Sequence, residues 1–350
     1  MDALSEALRG VRITGALFFN AEYGAPWGFA SPPSASVAPL LAPGTEHLVF
    51  FHLLTEGQAT ARVSGHDDVS LGAGDIVVFP HGDAHGLWNG HVKELHYATE
   101  LLPKLLTGLL VSERGGGGGA VTRFVCGYFG CERYAERLFL AGLPPVFKVH
   151  IRGDPAGAWI ESSIRHSVNE IESGRAGRLA LLSKLSEALF METLCRYMDE
   201  LPAECTGWLA AARDEVAGRA LASIHRHPAR PWTLPELAKE AGASRTVLVE
   251  RFTRLLGEPP LAYLARWRLQ LAARLLEATD HKVLQIALQV GYGSEPAFNR
   301  AFRRAFGVPP AQYRRRLRRG KGTVSPTSPR RSVGTVRAST RWGAGGKLRL

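Results

Sequence analysis

The chain has 350 residues, 45% of them hydrophobic, which is length enough for two or three domains that each bury a full core. Four irregularly spaced cysteines, Cys126, Cys131, Cys195 and Cys205, form no C-x-x-C pair; they exclude a disulfide framework, argue against a structural zinc and read as buried apolar residues. No window approaches the roughly 18 uninterrupted apolar residues of a membrane span, and the acidic Met1-Asp-Ala-Leu-Ser-Glu6 start is unlike a secretory leader, so a cytoplasmic location and no membrane partner are expected.

The net charge of +11 and the pI near 9.8 are unevenly spread. Residues 1–207 hold 16 Lys and Arg against 23 Asp and Glu, residues 208–313 hold 15 against 9, and residues 314–350 hold 12 against none. An acidic half and a basic half argue for two tasks in one chain, the basic half facing a polyanion.

Residues 11–99 read as β structure, because short apolar runs such as Leu48–Leu54 and Asp75–Pro80 are bounded by Gly, Pro and Asp clusters. The five glycines Gly115–Gly119 read as a flexible loop, Thr122–Phe129 resumes a strand with Cys126 in its core, and Leu143-Pro-Pro145 is expected to close the β half. Within that half, Gly74, Pro80, Gly82, His85 and Asn89 have the spacing of the second signature of the cupin superfamily, which they resemble. The resemblance implies a double-stranded β-helix with His85 pointing inward. In cupin enzymes that histidine shares a divalent metal with two histidines and a glutamate of an earlier signature; counted back from Gly57, those positions hold Pro43, Thr45 and Phe50. His52 alternates onto one side with Phe50 and Leu54 and faces inward. Two histidines make a thin metal site, so no metal is expected. His52, His81, His85 and Trp88 are the candidate lining of a metal-free ligand pocket, or simply fill the barrel.

From Trp159 the pattern turns helical, and Leu182, Leu185, Leu189, Phe190 and Leu194 recur at three- and four-residue steps, a stripe suited to packing on the barrel or on a second subunit. Pro202–Gly207 reads as a linker and Trp208–His225 as one helix. The stretch from Trp232 to Tyr313 then says nearly the same thing twice. Leu234–Gly242 matches Val283–Gly291 at an offset of 49, and after a turn one residue longer Leu248, Phe252, Arg254, Gly257, Pro259-Pro260 and Tyr263 match Phe298, Phe302, Arg304, Gly307, Pro309-Pro310 and Tyr313 at an offset of 50.

Each copy predicts a short helix, a glycine turn and a second helix. Thr233 with Glu236 forms a capping box, Gly242 can take the left-handed conformation that stops a helix, and Ser244 and Ser294 cap the second helices. At 100° per residue Leu248, Phe252 and Leu255 share an apolar arc, and Phe298, Phe302 and Ala305 are expected to do the same. Helix, short turn, helix is the plan in which the second helix enters a major groove. Between the copies Leu261–Ala278 predicts a rod of roughly 26 Å, which suits two grooves about 34 Å apart. Beyond Tyr313 an Arg-rich run and a Ser/Thr/Pro/Gly-rich tail cannot bury enough apolar surface to fold alone.

The doubled unit, above all Gly291–Arg314, resembles the AraC/XylS family of bacterial transcription regulators over roughly residues 213–314, and the upstream half resembles the cupin-type sensor of one subgroup. The expected architecture is multidomain α+β: a cupin-like β-barrel over residues 1–150, a helical connector and candidate dimerisation segment over 151–207, an all-α tandem helix-turn-helix domain over 208–314, and a basic disordered tail over 315–350. The resemblance implies a regulator, activation being the commoner sign in the family, that binds promoter DNA and answers to a small-molecule effector, with a homodimer and RNA polymerase as further candidate partners. Base contacts fall to Arg245, Thr246, Val249 and Glu250 in copy one and to Glu295, Asn299 and Arg300 in copy two; Arg254, Arg303 and Arg304 fall on phosphates. No catalytic residue and no cofactor is expected. The competing readings are a metal-dependent cupin dioxygenase or isomerase with an accessory nucleic-acid domain, and an architectural DNA binder without sequence preference.

Overall fold

The computed structural model describes residues 2–8, 13–42, 45, 47–92, 96–106, 112–131, 140–173, 176–202, 204–321, 341–342 and 348–349. Two compact units divide the chain: residues 11–201 with 337–350, and residues 202–336 with 1–10.

The first unit is a pair of sheets facing each other across one core. Its strands are β1 (Ile13–Gly24), β2 (Trp27–Ser31), β3 (His47–Glu56), β4 (Gln58–Val63), β5 (Val69–Gly72), β6 (Asp75–Phe79), β7 (His85–Asn89), β8 (His96–Tyr97), β9 (Ser112–Gly116), β10 (Val121–Cys131) and β11 (Phe147–His150). One sheet runs β11-β6-β3-β10-β1-β9 and the other β5-β4-β7-β2-β8. The chain crosses from one sheet to the other between β1 and β2, β2 and β3, β3 and β4, β5 and β6, β6 and β7, and β8 and β9, an arrangement in keeping with the jelly roll that the cupin signature implies. β6 ends at Phe79, so Pro80 stands just past the last ladder residue, where its missing N–H costs nothing. Trp27, Phe29, Leu54, Phe79, Leu87 and Phe124 fill the space between the sheets.

Three expectations need correction here. Gly115–Gly119 is not a loose loop: Gly115 and Gly116 extend β9 alongside β1, and Gly117 and Gly119 donate to the carbonyls of Gly24 and Ala25. The glycines permit close approach, since a Cβ on Gly116 would sit 2.1 Å from the Gly24 oxygen. The β half does not close at Pro145, because β11 follows and pairs with β6. Two short helices, α2 (Ser34–Leu41) and α3 (Ala98–Leu106), interrupt the strands, one with Pro39 and one with Pro103 inside it, which is why neither reads as helical.

Helices α4 (Pro155–Ser173) and α5 (Arg178–Glu200) belong to this unit. They pack on each other and on β1, and α5 also on β11. Leu189, Phe190 and Leu194 of the predicted stripe are buried; the side chain of Leu182 lies outside the described residues.

The second unit is helical. The expected single helix from Trp208 is two, α6 (Trp208–Arg213) and α7 (Glu215–Arg226), because the Asp214 carboxylate accepts from the backbone of Val216 and Ala217 and starts a new helix. They are followed by α8 (Leu234–Glu240), α9 (Arg245–Leu256), α10 (Pro260–Ala278), α11 (Val283–Gln289), α12 (Glu295–Phe306) and α13 (Pro310–Lys321). α13 continues past residue 315, where the sequence places the start of a tail; most of that tail lies outside the described residues. α1 (Ala3–Leu8), which the sequence does not announce, packs on α7 with Ala3, Leu4 and Ala7 buried, and Arg226 Nε lies 2.9 Å from the Glu6 carboxylate.

Candidate nucleic-acid interface and the barrel interior

The duplication is visible in the helices. α8 and α11 are both seven residues long and 49 apart; α9 and α12 are both twelve long and 50 apart. In copy one Thr233 N–H donates to Glu236 at 2.8 Å while Glu236 N–H returns to Thr233 Oγ1, closing the capping box. In copy two only half remains, Lys282 N–H to Gln285 Oε1 at 2.9 Å. Ser244 and Ser294 Oγ accept from Val247 and Ala297 N–H. Gly291 turns the chain at φ +88°, and a Cβ there would meet the Ala229 oxygen at 2.7 Å.

Leu248, Phe252 and Leu255 turn inward from α9, and Phe298 and Phe302 from α12. Ala305 does not share the arc as expected; it is exposed, and Phe306 is the third contact, stacked on Phe302 at 4.4 Å and meeting Tyr313 at 5.3 Å. The larger ring takes the half-buried place because it removes more apolar area from water.

That packing leaves one face of each second helix outward. Arg245, Thr246 and Glu250 are exposed with Val249 half-buried; in copy two Arg300 is exposed, and Glu295 and Asn299 are half-buried. Each set spans about 140° of its helix at 100° per residue. Arg254, Arg303 and Arg304 are exposed further along the same helices.

Several other arginines of the unit are held in ion pairs. Arg219 pairs with Glu215, Arg230 with Glu236 and Glu240, Arg251 with Asp214, and Arg266 with Glu258. Among the described residues Arg245, Arg254, Arg300, Arg303 and Arg304 have no carboxylate within 4 Å. Among the described residues the cations outside any ion pair include all five that the sequence assigns to DNA.

Two further arginines, which the sequence does not single out, set the loops that deliver each copy. Arg268 donates to the carbonyls of Pro228 and Arg230 at 2.7 and 2.6 Å, and Arg314 to those of Leu276 and His281 at 3.3 and 2.6 Å. Behind copy one, Trp208 Nε1–H donates to the Tyr263 hydroxyl at 2.9 Å and Tyr263 meets His225 Nε2 at 2.8 Å, so the tyrosine proton goes to the histidine. The Tyr263 ring also meets Phe252 of α9 edge-on at 5.6 Å.

The two sheets do not close into the expected barrel, and between them the structure brings together two of the four pocket candidates. His52 and His85 come from opposite sheets and meet through Nε2 atoms 3.1 Å apart, and Cys126, the cross-strand partner of His52, has its Sγ 2.9 Å from His52 Nδ1. His85 Nδ1 lies 2.9 Å from the Asp83 carbonyl, an obligate acceptor. The protons follow: His85 donates from Nδ1 and accepts at Nε2, so His52 donates from Nε2 and accepts at Nδ1 from the Cys126 thiol. Burial keeps the chain neutral. His52 is held well below the ordinary histidine value by burial and by repulsion from His85, burial brings His85 down to about 4, and burial pushes the Cys126 thiol up. His81 is elsewhere, bonded to the Leu143 carbonyl at 2.9 Å, and Trp88 stacks under the Arg62 guanidinium at 5.0 Å. Trp88 neighbours Leu87 on β7, and alternation turns it to the other face of the sheet.

A cupin metal does not fit these residues. The glutamate position holds Phe50, whose ring lies 5.4 Å from that of His85, Thr45 holds a histidine position, and Pro43 lies outside the described residues. The two histidines use on each other the nitrogens that a metal would need. Among the described residues no three of His, Cys, Asp and Glu converge on a point that could hold a metal ion.

Both halves of the chain match known families. The family model described as "Cupin" matches residues 2–199, more than half of the chain, and that described as "Helix-turn-helix domain" matches residues 237–316. The chain belongs to the AraC family of cupin-containing regulators. This AraC-type chain is 36% identical to a putative AraC-like transcription regulator of Streptomyces lividans over 190 residues, 54% of this chain and 62% of that relative. The match thus spans under two thirds of that relative's length. It is 27% identical to the HTH-type transcriptional regulator AlkR of Acinetobacter baylyi over 324 residues, 90% of this chain and 99% of the relative. Among solved structures, the DNA-binding domain of the global transcriptional factor AdpA, in complex with a target DNA, is 33% identical, with 32% of this chain and 99% of that chain covered and a TM-score of 0.30. No helix among the described residues of the AraC-type chain is long and apolar enough to cross a membrane.

Proposed function

We propose that this chain is a sequence-specific DNA-binding regulator of transcription, an activator, whose hold on promoter DNA is set by a small molecule sensed in its cupin unit. It acts in the cytoplasm and catalyses no reaction; a second copy and RNA polymerase are its protein partners. The observation that carries the reading is the pair of equal helices, α9 and α12, each presenting exposed arginines that lack carboxylate partners among the described residues. Arg300 offers a bidentate contact to guanine, Asn299 one to adenine, and Glu250 or Glu295 an acceptor for cytosine N4. Arg245 is copy one's guanine reader, while Thr246 and Val249 offer methyl contacts to thymine. Arg254, Arg303 and Arg304 hold phosphates and set the register.

The test is selection of binding sites from random DNA with the full-length protein, followed by footprinting. Two protected segments about one helical turn apart are expected. A single segment, no enriched sequence, or recognition surviving deletion of everything beyond Pro202 would overturn the reading. The enzyme alternative has its own test. Purified protein carrying stoichiometric iron, manganese or zinc that is lost in His85→Ala would revive it.

A further inference from the structure

The proposed function needs a place for the effector, and the core between the sheets is filled by aromatic and branched side chains around the neutral His52–His85 pair. A cavity lies instead on the outer face of the larger sheet, under the helices. Phe51, Val78 and Phe129 line it from β3, β6 and β10, and Ile164, Leu189 and Thr193 from α4 and α5; its volume is about 30 Å3. The wall is apolar throughout. Its one hydroxyl, Thr193 Oγ1, already donates to the Leu189 carbonyl at 2.8 Å. A water there would lack the two to four polar partners that hold buried water, and a charged ligand would meet no counter-charge.

We propose that this cavity is the effector site and that its ligand is a compact hydrophobic molecule, an alkyl or aromatic group without charge. The proposal rests on the sensing role proposed above. As it stands the cavity admits little more than a methyl group or one water. Any larger ligand must move Leu189 and Phe190 outward with α5. Phe190 is wedged against Phe129 with ring centroids 4.7 Å apart, so the ligand replaces one aromatic contact with another. A ligand that fitted without displacement would bind both states alike and shift nothing; differential fit is what makes a signal. α5 is also the last helix before the Leu201–Gly207 connection to the helical unit, so its displacement moves the point where the two units are joined.

The test uses the full-length protein and toluene as the probe, with thermal unfolding and titration calorimetry as readouts. Leu189→Ala enlarges the cavity and should raise toluene affinity at least tenfold over wild type; Val78→Ile adds one methylene into it and should abolish binding while leaving the fold intact. Toluene should also change wild-type affinity for a selected DNA site at least threefold and leave the Val78→Ile protein unchanged. Equal toluene binding by all three proteins, no binding by Leu189→Ala, or binding with no change in DNA affinity would overturn the proposal while leaving DNA recognition standing. Failure of the regulator reading looks different: no DNA sequence is enriched, whatever toluene does.

Discussion

His52 and His85 enter folding as bases that the native state refuses to protonate. Unfolded, each takes a proton near pH 6.5. Folded, the hydrogen-bond chain has no acceptor to spare, and burial brings His85 down to about 4 and His52 well below its ordinary value. Between pH 6.5 and about 4 the unfolded state therefore binds more protons, so stability is present in full above 6.5 and falls as the pH drops through that window. Each proton contributes a slope of about 1.4 kcal/mol per pH unit. His85→Gln keeps a donor and an acceptor but cannot titrate, and denaturant unfolding between pH 7 and 4.5 should show a shallower pH dependence for it; superimposable profiles would refute the assignment. On the helical unit, Arg300→Ala should cost about 1–3 kcal/mol of DNA affinity and relax preference at one base pair. Arg304→Ala should weaken all sequences alike and lower the salt slope by about one. Gel shifts across single-base operator variants separate the two, and a sequence-selective loss for Arg304→Ala counts against its phosphate role.

At the scale of elements, local signals announce some features and contacts made at a distance decide others. The period of α9 and α12, the Thr233 capping box and the 49-to-50 offset were legible because they depend on near neighbours in sequence, and the helices keep that spacing. The ordered glycine strand was not, because what fixes Gly116 is the carbonyl of Gly24, some ninety positions upstream. Gly116→Ala combines a clash at 2.1 Å with φ +95° and should lower stability by more than Gly118→Ala, which has φ +82° but open space around it and loses only about 1–2 kcal/mol. Equal losses in thermal unfolding would mean that the strand yields to the methyl group. The Tyr263 network was hidden for the same reason, being assembled from residues 38 and 55 positions away. Tyr263→Phe removes the donor to His225 Nε2, and His225 Nδ1 already lacks a hydrogen-bond partner among the described residues. We expect a loss of roughly 1–3 kcal/mol from the helical unit. DNA affinity should fall mainly at the half-site proposed for α9, because Phe252 packs on the ring whose position the lost hydroxyl fixes between Trp208 and His225.

For the molecule as a whole, the decisive object is α10, because it belongs to both reading units at once. Its first half buries Tyr263, Leu264 and Trp267 in copy one; its second half buries Leu269, Ala272 and Leu276 beside Ile286, Phe298 and Phe302 of copy two. Nineteen residues make a rod of about 28 Å, and a helix transmits rotation as faithfully as length. Inserting one alanine between Arg268 and Leu269 should leave both half-cores packed, since the join falls between them, yet turn copy two by about 100° and move it about 1.5 Å. The translation is small against the roughly 34 Å groove repeat; the rotation carries Arg300 and Asn299 off the face of the duplex that Arg245 addresses. The inserted protein should therefore keep both half-cores, lose the seat of Gly291 against the Ala229 carbonyl and unfold below the wild-type temperature, and protect one segment of operator rather than two. Its salt dependence should be shallower, because the phosphate contacts proposed for Arg303 and Arg304 would be lost together. Two protected segments from the inserted protein would show that the copies read DNA independently of the rod. In that case the duplication serves avidity alone.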